Sequence, residues 1–291
     1  MAMRLLAAAC ISIMFALVKL ASARGVHVVE SLFYRFLIGL FLILPWVLAK
    51  PGGIRSVRTS RLRGHVVRAV LGTVTMTLNY LSYILLPLAE ATTIGYAVPI
   101  FATILSAVLL KELVGWHRWS AIIIGFVGIL IVIQPGGSHI PLQGALVGLS
   151  AAVCTASITV IIRELSTTES TTTIVFWFSF IALPILAVPM LFIAGAHDST
   201  TWLIIAGLGV AGGLGQMTLT SALSLAPISV VMPMDYTTLI WSTALGWLIW
   251  STLPGPTTWI GAPLIVLSGL YIVWRENRNK SAAKPDLTAS P

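Results

Sequence analysis

The chain has 291 residues, of which 57% are hydrophobic and only 9% are charged, and its mean hydropathy is +0.98. No soluble domain of this length has enough interior for so much apolar surface, so the composition predicts a protein embedded in lipid. The formal net charge of +8 would suggest a nucleic-acid partner in a soluble protein, but the positions of the basic residues along the chain explain it better. Cys10 and Cys154 both lie inside apolar runs and form neither a disulfide framework nor a metal motif.

Hydropathy predicts ten membrane-spanning helices, numbered here span 1 to span 10. Helices are expected because backbone groups in lipid must be satisfied within the segment, and the alternating pattern of barrel strands is absent. Prolines inside the runs predict kinks rather than breaks. The fold class is therefore an all-α integral membrane protein. The predicted spans are residues 4–22, 28–49, 66–86, 89–110, 117–134, 143–162, 171–194, 200–222, 228–250 and 257–274.

Span 1 has a second interpretation. Arg4, an apolar run and the small residues at 21–23 also match a cleaved signal peptide. Lys19 interrupts the end of that run, and the segment recurs in the second half of the chain. A retained membrane span is therefore the favoured interpretation.

Lysine and arginine residues concentrate in alternate loops. With the N-terminus inside, only Arg24 falls in a loop on the opposite side, while Lys19 and Arg35 lie within spans. This asymmetry predicts that both termini are cytoplasmic. Residues 277–291, rich in Lys, Ser, Ala and Pro, are predicted to form a disordered cytoplasmic tail. The basic residues on the cytoplasmic side are Arg4, Lys50, Arg55, Arg58, Arg61, Arg63, Arg68, Lys111, Arg118, Arg163, Arg275, Arg278, Lys280 and Lys284.

The chain repeats itself, which predicts two five-span domains at residues 1–136 and 137–276. Each half holds five spans, an odd number, so the halves must cross the membrane in opposite directions. Inverted repeats are typical of secondary transporters, whose substrate site lies at the repeat interface near the midplane. The matching pairs, at offsets of 144 and then 140 residues, are Cys10 and Cys154, Lys19 and Arg163, Ser22 and Ser166, Pro45 and Pro189, Gly72 and Gly212, Pro87 and Pro227, Tyr96 and Tyr236, Gly115 and Gly255, and Trp119 and Trp259.

Several segments in both halves carry a family resemblance. They are PLAEAT at 87–92, YAVPIF at 96–101, Glu112, GFVG at 125–128, MPMDY at 232–236 and GLYIVWRE at 269–276. Their order resembles the drug/metabolite transporter superfamily, specifically its EamA-type members with ten helices. The resemblance covers about residues 4–276.

The resemblance implies a bacterial inner-membrane protein that moves a small organic solute by alternating access. Amino acid derivatives, vitamins and nucleoside-like compounds are compatible substrates. Spans 1, 3, 4, 6, 8 and 9 would surround the path, with spans 5 and 10 peripheral. Many members repeat the glutamate of the elbow at 111–119 in the second half, whereas Thr252 stands opposite Glu112 here. We interpret Glu112, with Lys111 and Arg118, as part of an anchoring elbow.

Asp235 is the most informative charge within a span. It lies about seven residues into span 9, hence about 10 Å deep at 1.5 Å per residue. One hypothesis makes it a proton or cation relay, or a counter-ion to a cationic substrate. The other makes it a structural ion pair, for which Arg68 at the start of span 3 is the candidate partner.

Two basic residues also lie within spans. Arg35 could bind a substrate carboxylate in bidentate fashion. It could equally hold span 2 to Glu30 or to neighbouring carbonyls, and the structural role is favoured because Ser179 occupies the equivalent position in the second half. Lys19 is expected to snorkel outward rather than line the path.

Aromatic and amide residues supply a candidate pocket, because a flat or amphipathic metabolite needs stacking faces and a few amides. The alternative is that these residues belong to interfacial belts or to ordinary packing. Tyr96 and Tyr236 stand out because they are repeat-equivalent and lie deeper than a belt. The glycines of span 8 predict close helix approach rather than ligand binding. The candidate substrate-binding residues are Tyr96, Tyr236, Asn79, Tyr80, Gln216, Trp241 and Trp177.

Two other classes of protein fit the sequence less well. An intramembrane enzyme would need a catalytic constellation, but the chain has no HExxH pair, and its five histidines lie in predicted loops or at span ends. A membrane scaffold or sensor would be expected to carry a soluble domain. No metal, cofactor or nucleic-acid partner is expected. The expected partners are a small-molecule substrate and the lipid bilayer, with a proton or another cation as the candidate coupling ion.

The inverted repeat makes a prediction about topology. Cysteines introduced at Gly137 and Gly255, in a background without Cys10 and Cys154, should react with a membrane-impermeant thiol reagent added from outside the cell. Both positions lie in loops predicted to face away from the cytoplasm. Labelling only from the cytoplasmic side would contradict the inverted repeat.

Overall fold

A computed structural model describes residues 2–109, 115–134, 140–225 and 232–282. These residues form eleven α-helices and two 3-10 turns, and they contain no strand. The helices are α1 Ala2–Ala23, α2 Val28–Leu48, α3 Leu62–Leu85, α4 Leu88–Gly95, α5 Val98–Leu109, α6 Trp116–Ile133, α7 Leu142–Leu165, α8 Thr171–Ile193, α9 Ser199–Leu225, α10 Thr237–Trp250 and α11 Pro256–Ala282. The 3-10 turns are Gly53–Val57 and Met232–Tyr236.

Eight segments of the described chain are long and apolar enough to cross a membrane. Predicted spans 3 and 9 correspond to α3 and α10, which are helical but outside that set: α3 contains two arginines, and α10 has only 14 residues. The all-α membrane fold is therefore confirmed, while the count of ten spans stays a prediction. The eight segments are Ala2–Ala23, Val28–Leu48, Leu88–Leu105, Trp116–Ile133, Leu142–Thr159, Thr171–Ile193, Ser199–Leu219 and Pro256–Arg275.

The helices of the two halves pack in equivalent pairs. Helix α1 packs against α9, and its counterpart α7 packs against α3. Helix α2 also contacts α9, just as its counterpart α8 contacts α3. Two further contacts join equivalent helices directly, α2 with α8 and α6 with α11. Exchanging the two halves maps each of these contacts onto another of them or onto itself, as repeats related by a pseudo-two-fold axis require.

Predicted span 4 is interrupted, and predicted span 9 is not α-helical throughout its described part. Span 4 breaks at Tyr96 and Ala97, between α4 and α5. The break comes just before Pro99, which lacks a backbone N–H and disfavours helical geometry in the residue before it. At the equivalent place in span 9, the turn Met232–Tyr236 precedes α10. Pro45 in α2 and Pro184 and Pro189 in α8 lie inside continuous helices, as predicted. Span 4 is broken next to Pro99, and Pro233 lies in a 3-10 turn, so the prediction is wrong for these two.

Local caps fix the starts of two helices. The Ser170 hydroxyl accepts a hydrogen bond from the Thr173 N–H at 3.2 Å and caps α8. Asp198, just before α9, accepts one from the Thr201 N–H at 3.2 Å and another from its hydroxyl. The hydroxyl bond above all holds the pKa of the Asp198 carboxyl below its usual range. These caps satisfy N–H groups that the helices themselves leave free.

The last helix is longer than predicted. Helix α11 continues to Ala282, six residues into the segment expected to be disordered, so that expectation is wrong for 277–282. Residues 283–291 lie outside the described residues, as do Lys111 and Glu112 of the predicted elbow.

Glycines bring α6 and α11 into close contact. A Cβ atom at Gly261 would lie 2.6 Å from the backbone oxygen of Gly128 and 2.5 Å from a methyl group of Val132. Small residues at helix crossings are typical of membrane proteins, because van der Waals packing drives association there.

Gly261→Ala should therefore lower the thermal unfolding temperature of the purified protein in detergent. Overpacking costs about 1–3 kcal/mol, offset in part by the roughly 1 kcal/mol gain in helix propensity. Gly115→Ala is the control, because a Cβ there meets no atom within 4 Å. Equal unfolding temperatures for the two variants would contradict the close contact.

Candidate functional site

The structure brings Tyr96 and Tyr236 together at the two interruptions. Their rings meet edge to face with centroids 4.9 Å apart. The Tyr96 hydroxyl accepts a hydrogen bond from the Leu239 N–H at 3.0 Å, and it lies 3.1 Å from the Tyr236 carbonyl oxygen and 3.3 Å from that of Asp235. One side chain of the first repeat thus satisfies backbone groups at the broken helix of the second.

An ion pair lies beside this contact. The Arg4 Nε donates to the Asp235 carboxylate, and Arg4 is only 8% exposed. Arg68, the predicted partner of Asp235, lies elsewhere, with its guanidinium 4.1 Å from the ring centroid of Phe178, so that prediction is wrong. The reason is helix packing: α1 contacts the turn Met232–Tyr236, whereas α3 packs on α7 and α8.

The other end of α1 also joins the two halves. Lys19 lies 15 residues after Arg4, about 22 Å along the helix. Its Nζ donates to the Leu86 carbonyl, which ends α3, and lies 5.7 Å from the Trp250 ring centroid in the second half. The expected outward snorkelling of Lys19 is wrong, because the free carbonyl offers it an acceptor within the protein.

Glu90 makes a second link at that end. Its Oε1 accepts hydrogen bonds from the Gly255 N–H at 3.1 Å and the Thr258 hydroxyl at 3.3 Å. A carboxylate at the start of α11 is favourable because the N-terminus of a helix carries partial positive charge. The two halves are therefore tied together at both ends of α1.

Arg35 borders a pocket with an empty volume of about 360 Å³ between α2, α8 and α9. Gln216 lines the same pocket, so the structure brings two of the predicted site residues together there. One of the structural partners considered for Arg35 is wrong: Glu30 instead lies 2.9 Å from the His197 ring nitrogen. Glu30 is in the first turn of α2, beside the loop that carries His197, and Arg35 lies more than one turn further along.

Two residues of α3 fall outside the Tyr96 contact. The Asn79 amide donates to the Thr75 carbonyl of its own helix at 2.9 Å. Tyr80 is fully buried, packs edge-on against Phe15 with centroids 6.0 Å apart, and has no hydrogen-bond partner for its hydroxyl among the residues described. Both residues lie in the helix packing around α3, and their part in substrate binding stays a prediction.

The two predicted tryptophans are also dispersed. The Trp177 Nε1 donates to the Val57 carbonyl at 2.8 Å and ties α8 to the turn Gly53–Val57. Trp241 is 44% exposed on α10. Both fit the alternative of packing or belt residues. The expected seven-residue pocket therefore separates into the Tyr96–Tyr236 contact, the Arg35–Gln216 pocket and isolated side chains.

Several functional candidates were not identified from the sequence. The Thr92 hydroxyl donates to Ser242 at 2.8 Å and lies 3.1 Å from the Tyr83 hydroxyl, which joins α3, α4 and α10 by buried polar groups. Short hydroxyl side chains are too common in membrane helices to signal such a link. Arg4 was assigned to a loop, although its position within α1 lets it reach Asp235.

The sequence profile of the EamA-like transporter family matches this chain twice, at residues 1–134 and 142–274. The chain belongs to the EamA-like transporter family. The double match agrees with the paired repeats in the helix packing.

Curated relatives of this EamA-like chain are named as transporters. A riboflavin transporter of Vibrio cholerae is 32% identical, over 84% of this chain and 83% of the relative. A pseudopaline exporter of Pseudomonas aeruginosa is 31% identical, over 90% of this chain and 92% of the relative. An S-adenosylmethionine uptake transporter of Rickettsia felis is 27% identical, over 88% of this chain and 86% of the relative. A protein of known crystal structure, 18% identical, superposes with a TM-score of 0.64 over 93% of this chain and 97% of that protein, which shows a shared fold.

Tyr96→Phe should destabilise the protein more than Tyr236→Phe. The first change removes the acceptor of the Leu239 N–H and leaves that group unsatisfied, at about 1–3 kcal/mol. The second keeps the ring contact, and the Tyr236 hydroxyl makes no hydrogen bond among the described residues. Thermal unfolding in detergent measures both variants, and equal losses would contradict the role of the Tyr96 hydroxyl.

Proposed function

We propose that this secondary transporter carries a small organic metabolite by alternating access, with the interrupted spans 4 and 9 as its moving parts. The observation that supports this most directly is the Tyr96 hydroxyl, which bonds to the broken helix of the opposite repeat. Discontinuous helices at a repeat interface are where transporters of this construction bind and release solutes.

The Arg4–Asp235 ion pair and the Tyr96 contact together form one gate. They lie at the same end of α1 and connect the first repeat to the same turn of the second. The links of Lys19 and Glu90 form the opposite gate. Because both gates are closed in this structure, transport requires each to open while the other holds.

We assign Asp235 to the gate rather than to a proton relay. A carboxylate with no cation beside it would favour a proton relay. A carboxylate with a cation beside it would favour a structural ion pair. Arg4 supplies that cation. Asp235 then controls whether the path opens, and the driving ion acts elsewhere.

We place the protein in the bacterial inner membrane with both termini in the cytoplasm, which makes the Arg4–Asp235 gate the cytoplasmic one. The distribution of lysine and arginine supports this orientation. The path carries its solute without covalent chemistry.

The names of the relatives define the first substrates to test. These substrates are riboflavin, pseudopaline and S-adenosylmethionine. The relatives themselves include both an exporter and uptake transporters. We propose a substrate of this size class. Purified protein in liposomes should take up at least one of these compounds or an amino acid derivative, and product formation without uptake would support an enzyme instead.

Arg4→Gln and Asp235→Asn should each reduce transport by about tenfold, equivalent to roughly 1.4 kcal/mol. Counterflow exchange and uptake driven by a pH gradient should fall in the same proportion, because a gate serves both. Glu164→Gln is the control: its 2.6 Å pair with Arg61 also joins the halves but is exposed, so it contributes little.

Two further outcomes test the gate. Reversing the two charges, with Arg4→Asp and Asp235→Arg in one protein, should restore part of the counterflow exchange that either single variant loses. If Asp235→Asn abolishes gradient-driven uptake while counterflow persists, Asp235 is a proton relay and the gate assignment is wrong.

A further inference from the structure

Two buried arginines flank a pair of phenylalanine rings inside the helix bundle. The Arg35 guanidinium lies 5.0 Å from the ring centroid of Phe36, and the Arg68 guanidinium lies 4.1 Å from that of Phe178. The two rings meet edge to face, with centroids 4.9 Å apart. Arg35 is 6% exposed and Arg68 is 7% exposed. The structure therefore holds two buried cations on either side of one pair of rings.

Neither arginine has a carboxylate partner in the part of the chain that the structure describes. The Arg35 Nε donates to the Met14 sulfur at 3.3 Å, which is a weak acceptor, and among the described residues the Arg68 Nε and Nη1 have no hydrogen-bond partner. All six carboxylates with described side chains are engaged elsewhere: Glu30, Glu90, Glu164, Glu169, Asp198 and Asp235.

Uncompensated cations inside a membrane protein are costly, and such residues mark substrate or ion pathways. The aromatic rings compensate only in part, because a cation over a ring face gains less than one beside an anion. The two guanidinium groups also repel each other. An anion between the helices would compensate the buried positive charges and reduce this repulsion.

The pocket beside Arg35 is where such a group would lie. It lies between α2, α8 and α9, and in this closed structure its enclosed space is about that of one water molecule. Besides Arg35, its polar lining includes Ser179 and Gln216, and no acidic residue lines it. Gly212 keeps the guanidinium accessible, because a Cβ there would lie 3.0 Å from the Arg35 Nε.

We propose that this pocket binds an anionic group, a carboxylate or a phosphate, of the transported metabolite. The inference rests on the proposed transport function and adds the chemical class of the substrate. Arg35 contacts the anion directly, since a guanidinium donates two parallel hydrogen bonds to either group. Arg68, on the other side of Phe178, contributes positive potential and is a positioning residue.

Matched pairs of compounds test the proposal without any mutation. The probes are N-acetylated amino acids with their primary amides, and riboflavin 5′-phosphate with riboflavin, added to purified full-length protein in detergent. At least one acid should raise the thermal unfolding temperature at a concentration where its neutral partner does not. Equal shifts for acids and neutral partners, or the absence of any shift that depends on the acid, would overturn the proposal.

Variants then locate the site. Arg35→Gln should weaken binding of the stabilising acid by at least about tenfold, and Arg68→Gln should weaken it less. Arg61→Gln is the matched control, because Arg61 is an exposed arginine paired with Glu164, and acid binding should persist there. If Arg35→Gln elutes as a folded monodisperse protein and still binds the acid normally, the site is elsewhere and the inference fails.

A lipid phosphate has the same chemistry, so the source of the anion is tested separately. Wild-type protein in nanodiscs of phosphatidylcholine is compared with protein in nanodiscs containing phosphatidylglycerol. Stabilisation by the anionic lipid that requires Arg35, without competition from the soluble acids, would make this a lipid site and overturn the proposal.

Transport in liposomes separates this inference from the proposed function. If a neutral metabolite is carried at the same rate by wild-type protein and Arg35→Gln, transport stands and the anion site fails. If acids bind through Arg35 but no solute crosses the membrane, the site stands and the transport function fails.

Discussion

Backbone hydrogen bonding in lipid is the constraint on which this structure depends. Every polar backbone group within the bilayer needs a partner, so continuous helices are the default and an interruption needs compensation. Span 4 is interrupted, span 9 contains a 3-10 turn, and the Tyr96 hydroxyl supplies partners for backbone groups at that turn and at the start of α10. The two repeats therefore cannot separate at this point without exposing those groups, which couples helix geometry to the opening of the path.

The buried charges fall into two groups with different consequences. Arg4 with Asp235, and Glu30 with His197, are paired between the halves near the ends of helices. Such pairs can break and re-form as the halves move. Arg35 and Arg68 lie against aromatic rings and have no carboxylate partner among the described residues. Their positive charges are therefore available to an anion that comes from outside the protein.

Hydropathy and the internal repeat predicted much of the fold. Apolar run lengths located the helices, and the offset of 140 residues paired Tyr96 with Tyr236, which the structure brings into contact. The break in span 4 and the 3-10 turn in span 9 were not predicted, because hydropathy does not distinguish a broken helix from a continuous one. Pro99 was the available signal, although other prolines sit inside continuous helices.

The site was harder to predict because it depends on which helices are neighbours. Arg4 and Arg68 both lie near the ends of their spans that were predicted to be cytoplasmic, and depth alone does not choose between them as partners of Asp235. The choice follows from the packing of α1 against the turn Met232–Tyr236. The same limit applies to Trp177 and Trp241, since a sequence gives the type of side chain but not the surface it meets.

The proposed gates and the proposed substrate site differ in how they relate to the repeat. Tyr96 and Tyr236 are equivalents, and a symmetric contact of this kind suits a movement in which the halves exchange roles. Three of the charged residues do not repeat: the positions equivalent to Arg35, Arg68 and Asp235 hold Ser179, Leu208 and Gly95. Ser179 lines the same pocket as Arg35, so a pseudo-symmetric pair of positions offers a cation from one repeat and a hydroxyl from the other. The repeat thus provides the movement, and the departures from it provide the chemistry that selects a solute.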